Sequence, residues 1–249
     1  MKLHFIYLLT RLSALTVLGL MFFTAGDVPS RESITVAGDN LFNYESKRET
    51  SKSGAITSAD VKLMTEKINL GKSFLEQFWN KKFQENRIRY RSPRVVSYAS
   101  AVKTPCGVIE QNNAAYCPQN NTIYYDAMFF TWLMKETGDA LNSDGDMAVI
   151  TALAHEWGHA VQAQTDSFQN VNVYNELGAD CLAGAFARFA YQNGSLETGD
   201  VEESLVALAA AGDDVPWSSA DAHGSSDDRV RSFRLGFSGG ETSCGCFDK

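Results

Sequence analysis

The chain has 249 residues, 44% hydrophobic and 21% charged, which is enough for a full core and unlike a disordered chain. Its net charge of −8 argues against nucleic acid as a partner, which calls for a basic face, and biases weakly against strongly acidic substrates. No internal repeat and no central Pro/Gly/Ser linker divides it, so a single folded domain is expected.

In chain order, Lys2 and Arg11 precede an apolar run from Leu12 to Phe23, followed by small and polar residues. The run is shorter than the ~20 residues that span a bilayer. Residues 1–26 fit a signal peptide cleaved near Thr24-Ala25-Gly26 or, since His4 to Leu9 are also apolar, an uncleaved signal anchor. Either form exports the chain to a secreted, periplasmic or extracellular location, the anchor keeping it tethered to the membrane. Residues 27–56 are polar and lack apolar periodicity, as in a flexible linker, which leaves residues 57–249 as the domain.

Ser58 is the expected N-cap of a helix to about Phe83, with Val61, Met64, Ile68, Phe74, Leu75 and Phe78 as its apolar stripe. Val95 to Tyr98 reads as a strand, and Ala115 to Cys117 and Thr122 to Tyr125 as two strands joined by a turn. Inward-facing residues near Thr122 to Tyr125 are expected at a sheet edge able to pair with an extended peptide. Helices follow at about 126–136, 146–164, 172–192, 200–211 and 226–236, before a polar, Gly-rich tail. Met147 to Ala154 is almost continuously apolar, so its helix should be buried nearly all round. The 172–192 helix is rich in Gly and Ala, which permits close helix packing. The expected fold is α+β, mostly helical, with a small sheet beside the 146–164 helix.

That helix carries His155-Glu156-Trp157-Gly158-His159. Histidines four apart share one helix face, while Glu156 points roughly 100° away from His155. The spacing suits one Zn²⁺ with two imidazole ligands and a carboxylate beside it as general base. A catalytic zinc generally takes three protein ligands. Residues 160–165 contain neither glycine nor histidine, so the third ligand is not a nearby histidine. Glu176, early in the next helix, is the best candidate. Asp180, one turn further on, sits among Leu177, Cys181 and Leu182, where a carboxylate needs a partner such as the outer N–H of a ligand histidine. His223, in a loop-like His-Gly-Ser-Ser, is the candidate donor to an anionic intermediate.

The five cysteines suit disulfides in an exported chain. Cys106 and Cys117 bracket a local loop, Cys181 is placed to pair with Cys244 or Cys246, and one thiol is left over. Three further patterns are set aside. Gly236-Phe-Ser238-Gly-Gly240 fits the serine-hydrolase elbow, but no histidine follows it, so a flexible turn is expected. Asn142 to Asp146 lacks the placement of a calcium loop and reads as a helix-entry turn. Cys244-Gly-Cys246 is better explained as tail stapling than as a metal pair.

His155-Glu156-Trp157-Gly158-His159 with a downstream Asn175-Glu176 and Asp180 resembles the gluzincin arrangement of zinc metallopeptidases. The wider chain is similar to the "putative neutral zinc metallopeptidase" family of bacteria over roughly residues 100–237. The shared pieces include Cys106-Gly107, Tyr116-Cys117-Pro118, Ile123 to Asp126, Phe129-Phe130, Ala154 to Gln162, Glu176 to Gly184 and His223 to Ser226. Trp157 departs from the smaller aliphatic residue usual there. The resemblance implies a zincin-like fold and zinc-dependent hydrolysis of peptides or proteins, with internal cleavage expected over terminal trimming. Two other readings use the same residues: a zinc-stabilised binding or regulatory domain without catalysis, and a zinc hydrolase of a non-peptide bond. Glu156 weighs against the first, because a structural zinc takes four protein ligands and needs no base.

Overall fold

The computed structural model describes residues 55–247. The signal segment and almost all of the linker expected from the sequence lie outside these residues. The described chain is α+β, with six helices and a small mixed sheet. In order the elements are α1 (Ser58–Glu85), β1 (Arg94–Tyr98), β2 (Val102–Thr104), β3 (Gly107–Ile109), β4 (Ala114–Cys117), β5 (Thr122–Asp126), α2 (Ala127–Leu141), α3 (Asp146–Thr165), α4 (Asn172–Gln192), α5 (Asp200–Ala210), α6 (Ser226–Gly239) and a 3₁₀ turn (Glu241–Cys244).

The cap of helix α1 lies one residue before the expected Ser58. Thr57 is the N-cap, and its hydroxyl and the Asp60 carboxylate satisfy each other's backbone N–H groups in a capping box. Met64, Ile68, Leu75, Phe78, Trp79 and Phe83 are buried on its inner face. Helix α2 begins on the Asp126 cap and runs five residues beyond the expected Glu136, to a left-handed Asn142.

Helix α3 is the central element, touching α1, α2, α4, α5, β4 and β5. This accounts for its unbroken apolar stretch: Met147 to Thr151 and Leu153 to Gly158 are all buried. The three-stranded sheet has the order β1-β5-β4, with β1 parallel and β4 antiparallel to β5. The residues expected at the sheet edge, Thr122 to Tyr125, are therefore in the central strand. The edge facing α3 belongs to β4. A short β2–β3 hairpin, too brief to show alternation, stands apart.

The broadest helix contact is between α4 and α6, where two glycines interlock. A side chain at Gly184 would strike the Phe233 carbonyl, and one at Gly236 the Cys181 carbonyl. The segment around Gly236 to Gly240, expected as a flexible turn, is mostly helix for this reason: Gly236 serves helix contact instead of chain reversal. Disulfides join Cys106 to Cys117 and Cys181 to Cys244, which points to an oxidising compartment outside the cytoplasm. Cys246 takes part in neither disulfide and is buried. Among the described residues no helix is long and apolar enough to cross a membrane.

Away from the HEWGH motif, Asp146, Asp200 and Glu203 bring their carboxylate oxygens within 4.8 Å of one another. Each has a structural partner. Lys67 Nζ reaches Asp146 at 2.6 Å, Glu203 accepts the Gly145 and Met147 N–H groups at the start of α3, and Asp200 accepts the Glu197 N–H. Burial, and after it the facing Asp146 and Glu203 carboxylates, push Asp200 from 3.8 up to about 6 against the opposing Glu197 N–H. The folded state therefore keeps this proton to higher pH than the unfolded chain does. Its contribution is fully present below 3.8 and is lost as pH rises through about 6. Thermal melts from about pH 4 to about pH 7, across that window, should show a decline in stability that Asp200→Asn flattens. An unchanged slope in the variant would remove Asp200 as its source.

Candidate active site

The helix crossing sets the site. A Cβ on Gly158 would lie 2.9 Å from Ala179 Cα, so at this point α3 rests directly on the backbone of α4. His155 and His159 flank Gly158 on one helix, and Glu176 and Asp180 flank Ala179 on the other. Close contact at the centre brings the four side chains together. His155 Nε2 lies 3.2 Å from Glu176 Oε2, and His159 Nε2 lies 3.6 Å from Glu176 Oε1. One donor atom from each of the three residues falls within a 4.8 Å cluster.

The ring orientations are fixed from behind. His155 Nδ1 is 2.7 Å from Asp180 Oδ1, so its Nδ1–H donates there and Nε2 is turned toward Glu176. His159 Nδ1 is 2.8 Å from Gln162 Oε1. The Gln162 amide is oriented by its own Nε2–H, which donates to the Asn175 carbonyl at 2.8 Å. Its oxygen must then face His159, so this ring too gives its N–H outward and keeps Nε2 for the cluster. Two imidazole lone pairs and a carboxylate are a zinc donor set. Ligand atoms on tetrahedral zinc with bonds of about 2.0–2.1 Å stand about 3.4 Å apart, and the 3.2 and 3.6 Å contacts, each made by a different Glu176 oxygen, are of that size. The His-His-Glu cluster is consistent with one zinc ion.

Arg229, absent from the sequence reading, completes the site. Asp180 has no exposed surface. Arg229, on α6, grips it with Nε to Oδ2 and Nη2 to Oδ1, both at 2.8 Å, and donates Nη1–H to the Ala211 carbonyl at 3.0 Å. Burial alone would raise the Asp180 carboxyl, but Arg229 and then His155 outweigh it and hold Asp180 below its ordinary range. Burial also works against a charged His155, and Asp180 prevails over it, pushing the metal-free imidazole up to about 10. Glu176 is likewise buried, and His159 and His155 pull it below the usual carboxylate range.

Glu156 stands outside the cluster. Its Oε2 accepts the backbone N–H of Tyr116, on the edge of β4 that faces α3, at 2.8 Å. Trp157 is fully buried and donates Nε1–H to Tyr90 Oη at 2.9 Å. His223 lies outside the ligand cluster, on the loop before α6. Its Nδ1 is 2.7 Å from Asp213 Oδ2, and the neighbouring Gly224 packs against Val173 and Leu177 of α4. Sequence reasoning missed Gln162 and Arg229. Gln162, three residues after His159, could have been found from helical spacing. Arg229 gave no signal beyond a charge in a polar helix.

A family model described as "Putative neutral zinc metallopeptidase" matches residues 14–247. The chain belongs to this family. It is 34% identical to the uncharacterized protein YpfJ of Escherichia coli K12 over 201 residues, covering 70% of this chain and 68% of YpfJ. It is 30% identical to the uncharacterized protein Rv2575 of Mycobacterium tuberculosis over 185 residues, covering 61% of each. No solved structure matches the chain.

Arg229→Leu leaves a buried carboxylate with His155 as its remaining charge partner. Denaturant titration of the metal-stripped protein should show a loss of about 3–5 kcal/mol. Chelator competition should show zinc held about 10–100-fold more weakly. Loss of stability with unchanged zinc affinity would reduce Arg229 to a core ion pair.

Proposed function

We propose that this family member is an exported, zincin-like zinc metallopeptidase that cleaves internal peptide bonds. His155, His159 and Glu176 are its ligands, Glu156 is its general base, and Asp180 is the carboxylate that orients His155. The observation carrying this reading is the separation of the two glutamates. Glu176 faces both Nε2 atoms, whereas Glu156, on the motif itself, is held aside by a strand backbone. A structural metal site has no use for such a carboxylate.

When bound, zinc polarises the scissile carbonyl and acidifies water so that it can be deprotonated near neutral pH. Glu156 would take that proton on the oxygen not held by Tyr116, then pass it to the leaving amine. Because one Glu156 oxygen is fixed by the β4 backbone, the other is positioned without a large loss of side-chain freedom. Strand β4, an edge strand beside Glu156, offers backbone groups to an extended peptide, the part first expected of β5. His223 would donate to the developing oxyanion. With its Nδ1–H given to Asp213, Nε2 can donate only from an imidazolium, so this role requires a protonated ring. Export fits the two disulfides, and the N-terminal segment would serve as signal or tether.

The test is the full chain loaded with zinc against a peptide library, with products identified by mass spectrometry. Glu156→Gln should retain one zinc and lose about 10²–10⁴-fold in kcat. Glu176→Ala should lose both zinc and activity. Zinc retained undiminished by Glu176→Ala would remove Glu176 from the ligand set. A wild-type enzyme that binds zinc and cleaves no peptide would overturn the peptidase reading.

A further inference from the structure

Four arginines fall within the segment that joins α1 to β1 and at its end: Arg87, Arg89, Arg91 and Arg94. The whole chain carries a net charge of −8, and residues 104–187 contain a single basic side chain, Lys135. The concentration of positive charge is therefore local. Ile88 and Tyr90 turn inward onto the core and Pro93 is buried, while all four arginines are exposed. Residues two apart in an extended segment project to one side, roughly 7 Å apart. That places Arg89 beside Arg91, with Arg87 and Arg94 toward the two ends.

The segment is fixed in place. The Ile88 N–H donates to the Phe83 carbonyl at 2.9 Å, and Tyr90 Oη accepts Trp157 Nε1–H. The Arg91 N–H donates to Gln164 Oε1 at 2.8 Å, and Asn121 Nδ2 meets the Arg91 and Ser92 carbonyls at 3.3 and 3.1 Å. Backbone and inward side chains thus serve the fold, and the guanidinium groups do not: none of the four is in an ion pair among the described residues. The carboxylates beside the segment are already engaged. Glu76 accepts Ser92 Oγ–H at 3.0 Å and faces Lys72 at 3.8 Å, and Glu85 faces Lys82 at 3.1 Å.

Trp157 and Gln164, which hold the segment to α3, are seven residues apart and share a helix face roughly 200° round from His155. The arginines therefore lie behind α3, and a partner bound to them leaves the His-His-Glu cluster uncovered. Such a partner must be anionic. Protein interfaces are anchored by aromatic and other large side chains, but here Ile88 and Tyr90 face inward. Charge alone faces outward, which suits a partner of dense, repeated charge. In the extracytoplasmic compartment to which the disulfides point, a bilayer surface is one. Anionic headgroups attract clustered basic side chains, and screening within about 10 Å makes this local charge outweigh the distant net charge.

We propose that Arg87, Arg89, Arg91 and Arg94 form a docking surface for the anionic headgroups of a lipid bilayer. Helix α3 then stands between the bilayer and the His-His-Glu cluster. The inference is independent of peptide cleavage, because it uses none of the candidate ligands or the candidate base.

The test titrates the full chain against phosphatidylcholine vesicles and against vesicles that also contain phosphatidylglycerol. The N-terminal segment is common to every variant, so the quantity read is the change in the ratio of the two affinities. At low salt Arg87→Gln with Arg89→Gln should lower that ratio about 25-fold, and all four substitutions a few hundredfold. Raising the salt to about 0.5 M should remove most of the wild-type preference. Lys62→Gln with Arg231→Gln, both exposed and on other surfaces, should change the ratio less than about twofold. Arg→Lys at all four positions should retain most of it, since a charged surface needs no guanidinium shape. Thermal melts and zinc content should be the same in every variant. An unchanged ratio in the fourfold Arg→Gln protein, or an equal loss in the Lys62 and Arg231 control, would overturn the docking surface. Soluble polyglutamate that displaces the vesicles at matched charge would overturn the bilayer in favour of an acidic protein partner. A preference that depends on the arginines, in a protein that cleaves no peptide, leaves the docking surface standing and the peptidase reading refuted.

Discussion

Asp180 is a carboxylate with no exposed surface in the middle of a small-residue helix. Such a group is costly unless its oxygens are met by donors, and preferably by charge. The protein meets it from two other helices: Arg229 on α6 takes both oxygens, and His155 on α3 shares one. These contacts require α3, α4 and α6 to meet at one level, and glycine makes the approach possible at each crossing. Gly158 admits the α4 backbone, while Gly184 and Gly236 interlock α4 with α6. Removing the carboxylate would remove the reason for Arg229 to be buried and the restraint on the His155 ring.

The charge balance around this point suits a divalent cation. Glu156, Glu176 and Asp180 are all at the site, and Arg229 supplies a single compensating charge. With both imidazoles neutral, two negative charges remain in a poorly solvated space. In the metal-free protein a proton on His155, whose affinity for it is raised well above the ordinary imidazole value, offsets one of them. The lone pair that holds this proton is the one that a metal needs. Protons and metal therefore compete, and metal affinity must fall as pH falls.

The parts of this arrangement legible in the sequence were those encoded locally or by strong chemical constraint. The helix spans followed from apolar periodicity, and Asp180 followed from the cost of a carboxylate among apolar neighbours. Glu176 is legible by elimination and by its place on a helix able to pack closely. The missing parts depend on tertiary geometry. Arg229 lies 49 residues from Asp180 and follows Ser226-Asp227-Asp228, so in sequence it has the pattern of a solvated helix start. Gly236 followed by Ser238 and Gly239-Gly240 has turn composition, but contact with α4 uses the absence of a side chain and keeps that segment largely helical. Strand order was also hidden. Only pairing with both β1 and β4 puts β5 in the middle, and nothing in Thr122 to Asp126 distinguishes a central strand from an edge.

The disulfides fall where they matter most to the site. Cys117 directly follows Tyr116, whose N–H holds Glu156, and Cys181 directly follows Asp180. One bridge closes a separation of 11 residues and the other a separation of 63. Chain-entropy reasoning assigns these loops about 3 and about 4 kcal/mol of stabilisation. Their positions add a local effect. The Cys106 bridge restrains the strand edge that aims Glu156, and the Cys244 bridge ties the tail beside the helix that presents Glu176 and Asp180. Glu156 and the His-His-Glu cluster are thus steadied by separate cross-links. Reducing the first should disturb Glu156 while leaving the cluster, whereas reducing the second should loosen the cluster. That division follows from the topology: Glu156 depends on the sheet, and the ligand cluster depends on the helices.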